Sequence, residues 1–153
     1  MRVAVSGGGI GGLTFAALAA RAGFEPVVLE RALNMKKSSF GGGIALWPTS
    51  QAVMKAIGVL DILERQGAYM PAPSYTDRGG RPLARASPEF QRRFPVLCLQ
   101  RDVLCAVLAE ACHGHGVDIR TGSEVVGIDG GEGAPLALTL GDGITVEADL
   151  LVG

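Results

Sequence analysis

The stretch Arg2-Val3-Ala4-Val5-Ser6-Gly7-Gly8-Gly9-Ile10-Gly11-Gly12-Leu13 decides how the rest of the chain is read. Val3 to Val5 is a short apolar run that breaks off in glycine, which predicts a buried strand over Arg2 to Ser6. From Ile10 to Ala22 the chain is rich in Ala and Leu and stops at Gly23, the pattern of a helix with a glycine C-cap. Pro26 to Glu30 is a second apolar strand. Strand, helix and strand within about 30 residues make a right-handed βαβ unit with parallel strands. The turn between them has the spacing G-x-G-x-x-G. Gly7 makes the tight exit from the strand, Gly9 leaves room for a pyrophosphate, and Gly12 lets the helix pack on the strand. A helix N-terminus offers unpaired N–H groups and a partial positive charge to that anion. Glu30, at the end of the second strand, is an acid placed to accept the ribose hydroxyls of an adenosine and to repel a 2′-phosphate.

Composition narrows the classes that remain. The chain has 153 residues, 48% hydrophobic and 19% charged, with a formal net charge of −1. That is one folded domain with a real core. Without a basic excess, nucleic acid and anionic membrane are not expected partners. The longest apolar run, Leu13 to Ala20, is too short to cross a bilayer and follows glycines rather than a charged leader. Cys98, Cys105 and Cys112 are an odd number, which fits a reducing, cytoplasmic setting.

Further elements follow from local signals. Ile44 to Leu46 reads as a short strand. Thr49 or Ser50 is a candidate cap for a helix to Ile57, ended by Gly58, and Leu60 to Gln66 reads as a helix ended by Gly67. Arg78-Gly79-Gly80-Arg81 between extended runs predicts a hairpin. Arg101 to His113 is amphipathic, with Leu104, Val107, Leu108 and Ala111 on one face and Gly114 as the expected C-cap. Val117 to Arg120 is a strand, and Glu124 to Ile128 continues it or pairs beside it. Leu136 to Leu140 and Ile144 to Glu147 flank Gly141-Asp142-Gly143, a second hairpin signal. Asp149 to Val152 begins another buried strand.

The order of motifs resembles the N-terminal part of FAD-dependent monooxygenases of the p-hydroxybenzoate hydroxylase-like class. Gly7-Gly8-Gly9-Ile10-Gly11-Gly12-Leu13, the Ala-rich helix, Gly23 and Glu30-Arg31 match that family's opening, with Pro26 as a departure in the second strand. Gly43-Ile44-Ala45-Leu46-Trp47-Pro48-Thr49 is similar to a segment that passes near the flavin, with Thr49 where the family has Asn. Gln100-Arg101-Asp102-Val103-Leu104 is similar to the motif whose arginine contacts FAD. Glu124-Val125 matches the position whose backbone meets the adenine. The resemblance implies a Rossmann-like α/β domain with a parallel sheet and an antiparallel β-meander. It also implies FAD contacts at Gly7, Gly9, Ile10, Gly11, Gly12, Glu30, Arg31, Gly43, Ile44, Arg101 and Val125.

The activity implied is hydroxylation of a small aromatic or related substrate, with NAD(P)H as transient reductant and oxygen as co-substrate. No converging acids or bases point to a catalytic residue. The family's second FAD motif and its substrate domain are not among these residues, so residues 1–153 are expected to form an incomplete FAD-binding domain. An FAD-dependent reductase or halogenase of the same fold, an NAD-dependent domain, and a non-catalytic module are the other readings. The late hairpin disfavours a plain NAD domain, which would continue in helix–strand units. An incomplete sheet presents an edge, which gives a route to self-association. Arg101 also has a reading as a solvated arginine, since a cation at a helix start opposes the dipole unless an anion lies nearby. Cys105, Cys112, His113 and His115 lack the spacing of a zinc site and read as packing and surface residues. Lys36-Lys37 and Arg92-Arg93 read as surface charge, and Trp47 as either a cavity wall or a packing residue.

Overall fold

The computed structural model describes residues 1–35, 42–71, 74–131 and 133–153. Lys36, Lys37 and Gly41 lie outside them. The central sheet is parallel and four-stranded, in the order β12-β1-β2-β8. These are β1 (Arg2–Ser6), β2 (Glu25–Glu30), β8 (Asp118–Thr121) and β12 (Leu150–Val152). Helix α1 (Ile10–Arg21) crosses from β1 to β2, as the βαβ reading requires. Pro26 is the second residue of β2 and pairs with Val3, while the ladder to β8 begins at Val27. It therefore sits where the outer ladder has not yet started.

The sheet is covered on both faces, and this explains why β1 reads as a continuous apolar run rather than an alternation. Val3, Val5 and Val28 point into a core built with Leu13, Ala16 and Ala17 of α1 and with Leu104, Leu108 and Cys112. The latter three lie on α5 (Arg101–Gly114). Helices α2 (Pro48–Ile57) and α3 (Leu60–Gln66) add Met54, Ile57 and Leu63 to the same core. Ala4 and Leu29 point the other way, against Leu138, Leu140, Val146 and Ala148. Those come from an antiparallel meander, β9 (Val125–Asp129), β10 (Leu136–Leu140) and β11 (Thr145–Ala148), in the order β11-β10-β9. Each fully buried Leu or Val contributes about 1.5–3 kcal/mol, so both faces hold the sheet.

Two smaller sheets stand beside this frame. In one, β7 (Leu97–Gln100) lies between β3 (Gly43–Leu46) and β4 (Ala68–Tyr69), antiparallel to both. In the other, β5 (Ser74–Thr76) and β6 (Pro82–Arg85) form the hairpin around Gly79-Gly80. The short helix α4 (Pro88–Arg93) follows it.

Several local expectations change. Helix α2 begins two or three residues earlier than a Thr49 or Ser50 cap would place it. Its N-cap is Trp47 with Pro48 at the first turn, and no side chain caps it. Proline suits that position because its missing N–H has no intrahelical partner there. Helix α5 runs through Gly114, and the chain turns instead at Gly116, φ +75. Val117 N–H then bonds back to Cys112 O and Gly116 N–H to His113 O, the paired closure that needs a left-handed residue at that place. Residues 124–128 do not continue β8. They pair with β10.

Candidate cofactor site

The glycine turn leaves β1 through Gly7, whose φ of +109 a residue with a side chain rarely adopts. Gly7 N–H bonds to Leu29 O at 2.8 Å, so the turn is anchored on β2. A Cβ added at Gly12 would collide with the Gly7 carbonyl oxygen and lie 3.2 Å from Val5 Cγ1. Helix and strand therefore approach as closely as the motif predicts. A Cβ at Gly9 or Gly11 would meet nothing within 4 Å, so these glycines face open space. Gly9 is the N-cap, no side chain caps α1, and no acid occupies its first turn. Leu13 N–H to Gly9 O, 2.9 Å, closes the first helical turn. The N–H groups of Ile10, Gly11 and Gly12 precede that bond and have no intrahelical acceptor. They present a concentrated set of donors with the helix dipole behind them.

Glu30 is 8% exposed, and its carboxylate is already engaged. Oε2 accepts Gly8 N–H at 2.7 Å and Oε1 accepts Ala32 N–H at 2.8 Å. Gly8 suits this approach, since a Cβ there would lie 3.1 Å from Glu30 Cβ and 3.3 Å from Oε2, close enough that the Glu30 side chain would have to give way. An ionised carboxylate offers about four lone-pair sites, so two remain for a ribose diol. The Glu30 backbone also accepts Ser123 N–H at 2.9 Å, and Ala32 O accepts Gly122 N–H at 3.1 Å. These two bonds fold the β8–β9 connection over the end of β2.

The result is a cavity of about 300 Å³ lined by Ser6, Gly7, Leu29, Glu30, Arg31, Ser123, Glu124 and Val125. That is the low end of small-molecule pockets, a size for one portion of a dinucleotide. Gly7, Glu30, Arg31 and Val125 were expected from the sequence. Ser6, Leu29 and Ser123 were not, because their place in the wall comes from pairing between distant segments. Gly8 was visible as part of the glycine run, but its role beside Glu30 depends on where β2 ends.

Gly43, Ile44 and Arg101 form a second group. Gly43 pairs with Gln100 and Ile44 with Leu99 across β3 and β7, and Arg101 N–H donates to Gly42 O at 3.2 Å. The Arg101 side chain is exposed at the start of α5 and reaches the Cys105 thiol one turn on. Burial raises the pKa of that thiol, against the opposing pull of Arg101. Burial likewise pushes the Cys112 thiol up to about 11. Cys112 Sγ donates to Leu13 O at 3.2 Å, which ties α5 to α1. Among the described residues no three His, Cys, Asp or Glu side chains are grouped to hold a metal ion, and no helix is long and apolar enough to cross a membrane. Trp47 is half exposed and does not line the cavity at Glu30.

The sequence profile of the family described as "FAD binding domain" matches residues 1–153. The chain belongs to this family. FAD is accordingly the cofactor of the domain, and the donor-rich turn, the acid with spare acceptor sites and the adjoining cavity fit its ADP portion. The FAD-binding domain is 32% identical to 3-hydroxybenzoate 6-hydroxylase 1 of Aquipseudomonas alcaligenes, over 99% of this chain and 39% of that protein. It is also 32% identical to 6-methylpretetramide 4-monooxygenase of Streptomyces rimosus, over 99% of this chain and 37% of that protein. Among solved structures, 2-methyl-3-hydroxypyridine-5-carboxylic acid oxygenase superposes with a TM-score of 0.83 at 30% identity, covering 99% of this chain and 38% of that one. The chain thus spans under two fifths of the length of these relatives.

Proposed function

We propose that this FAD-binding domain serves a cytoplasmic flavoprotein monooxygenase that hydroxylates a small aromatic or related substrate. The relatives are named as a hydroxylase, a monooxygenase and an oxygenase, and the cavity beside Glu30 carries the reading. In the net reaction substrate, oxygen, NAD(P)H and a proton give hydroxylated product, water and NAD(P)⁺. FAD supplies the redox chemistry, and the protein binds, orients and shields it. The N–H groups of Ile10, Gly11 and Gly12 hold the pyrophosphate, with Gly7 setting the turn and Gly9 leaving the approach open. Glu30 accepts the ribose hydroxyls. Arg31 flanks the adenosine, and Val125 meets the adenine through its backbone. Gly43, Ile44 and Arg101 form the side of the site toward the flavin. Residues 1–153 carry the ADP-binding portion, with the second FAD motif and the substrate domain supplied by other residues of a longer protein.

Two measurements test this. Flavin fluorescence quenching on titration with the chain should show FAD binding that NAD does not displace at equal concentration, and Glu30→Ala should weaken it. Displacement by NAD as strong as by FAD would overturn the cofactor assignment for this site. In a longer protein containing the domain, aromatic acids should stimulate NAD(P)H oxidation with one hydroxylated product formed per oxygen consumed. Oxidation of NAD(P)H that yields only peroxide with every aromatic acid tried would overturn the hydroxylase reading.

A further inference from the structure

Among the described residues, Glu30 and Gln51 are the two buried polar or charged ones. Glu30 has its place at the cavity, but Gln51 does not line that cavity. It lies one turn into α2, where its own N–H closes the first helical turn on Trp47 O at 2.9 Å. Its side chain turns back out of the helix. Nε2 donates to Leu46 O at 2.7 Å and to Pro95 O at 2.8 Å. Only the NH₂ end of a glutamine can satisfy two carbonyls, so these partners fix the orientation of the amide. Leu46 is the last residue of β3, and Pro95 stands just ahead of β7, which begins at Leu97. Leu46 and Leu97 are themselves paired. One amide therefore clamps the two strands where their ladder ends.

The other end of that ladder carries Gly43 and Arg101. Gly43 pairs with Gln100, and Arg101 N–H donates to Gly42 O at 3.2 Å. The pairing covers only Gly43 to Leu46, so about 10 Å of strand separates the clamp from Gly43. A ribbon this short holds poorly by itself, and a strand with glycine at one end and alanine at its third position has little side chain to lock its register. A slip of one residue would turn every β3 side chain to the opposite face. Two hydrogen bonds from a buried donor hold Leu46 against the approach to β7, and so set where Gly43 and Ile44 stand relative to Arg101.

We propose that Gln51 is a positioning residue for the flavin side of the cofactor site, acting through the β3–β7 ladder. The inference rests on the reading of Gly43, Ile44 and Arg101 as that side. It makes no use of the glycine turn.

Calorimetric titration of the purified chain with FAD and with ADP separates this role from plain stability. On this reading ADP meets the glycine turn and Glu30, while FAD also reaches β3 and the start of α5. Gln51→Met keeps the length of the side chain and removes its donors. It should raise the FAD dissociation constant about tenfold and move that of ADP by less than about twofold. Gln51→Asn keeps the amide on a shorter stem that reaches at most one of the two carbonyls, and should fall between. It carries the same comparison if the methionine variant does not fold. Amide hydrogen exchange should quicken at residues 43–46 and at Arg101, and not at Gly7 or Gly8. Val146→Ala, in the core beneath the meander, is the control: it lowers stability and should leave the ratio of FAD to ADP affinity unchanged. Equal losses of FAD and ADP affinity in Gln51→Met, or exchange at residues 43–46 no faster than in the wild type, would overturn the inference. A wild-type chain that binds FAD no more tightly than ADP, with that exchange still quickened in Gln51→Met, would overturn it by another route. The error would then lie in reading Gly43, Ile44 and Arg101 as the flavin side, and not in the hold of Gln51 on the ladder.

Discussion

Replacing Glu30 by glutamine should damage both the fold and the cofactor site, and the size of each effect follows from two hydrogen bonds. The carboxylate accepts Gly8 N–H at 2.7 Å and Ala32 N–H at 2.8 Å. Glutamine keeps one acceptor oxygen and puts an NH₂ group at the other place, so one backbone donor faces a donor. Losing a hydrogen bond to a charged group in a buried setting costs about 1.5–3 kcal/mol, and the surviving neutral bond is weaker than the one it replaces. A total of about 2–4 kcal/mol corresponds, for a chain of this size, to a fall in Tm of roughly 5–12 °C. The ribose diol loses its anionic acceptor as well, which should raise the FAD dissociation constant at least about tenfold. Thermal unfolding by circular dichroism and flavin fluorescence titration measure the two effects separately. Glu147→Gln is the control. That residue pairs with Arg2 at 3.3 Å on an exposed surface, so its loss should cost no more than about 1 kcal/mol. If Glu30→Gln shifted Tm no further than this control, the carboxylate would not be the tie between the turn and β2.

The glycines should separate by role. Gly12→Ala drives a Cβ into the Gly7 carbonyl and should lower stability by about 3 kcal/mol, the upper end for overpacking, as read by urea denaturation. Gly9→Ala meets no atom within 4 Å, so its unfolding midpoint should barely move while FAD affinity falls. Gln51→Leu removes the amide that donates to Leu46 O at 2.7 Å and Pro95 O at 2.8 Å. Stranding these carbonyls should cost about 2–4 kcal/mol and loosen β3 without touching the cavity at Glu30. Alkaline pH should also destabilise the fold through Cys112. Burial raises its thiol from the ordinary value near 9 to about 11, so folding holds the neutral form. That contribution is complete below about pH 9 and is lost as pH rises toward 11, because the unfolded chain releases the proton first. In Cys112→Ala, guanidinium unfolding should show a shallower loss of stability over that window.

How far the sequence could be read depended on whether each signal was local. The β1–α1–β2 unit was legible because its apolar runs and its turn lie within one contiguous segment. The meander was legible from Gly141-Asp142-Gly143, since a hairpin needs no distant partner. Strand β7 was not. Leu97-Cys98-Leu99 is too short to establish a period, and its central place depends on pairing with Gly43–Leu46 on one side and Ala68–Tyr69 on the other. Helix α4 is six residues long with none buried, so no amphipathic face could mark it. The sequence places the helix stop at Gly114 and the structure at Gly116, for a similar reason. Either glycine fits the pattern, and Val117, 4% exposed in the core, decides between them by where it must pack.

The position of the cavity follows from the strand order. From β1 the sheet grows one way through β2 to β8, and then β12 returns to the other side of β1. The chain therefore reverses direction across the sheet at β1, and the carboxyl ends of strands at such a reversal are where α/β sheets leave a crevice for ligand. Hydrogen bonds to one residue tie the walls of that crevice together. Glu30 holds the glycine turn through Gly8 and its own strand exit through Ala32. Its backbone holds the β8–β9 connection through Ser123. Three segments distant in sequence thus converge on one residue. The backbone donors fix where the two Glu30 oxygens point, and a ligand that meets acceptors so oriented spends less contact energy on arranging the protein. Glu30 is therefore a latch of the fold, and the two oxygens that make it one are those the proposed ribose contact would use.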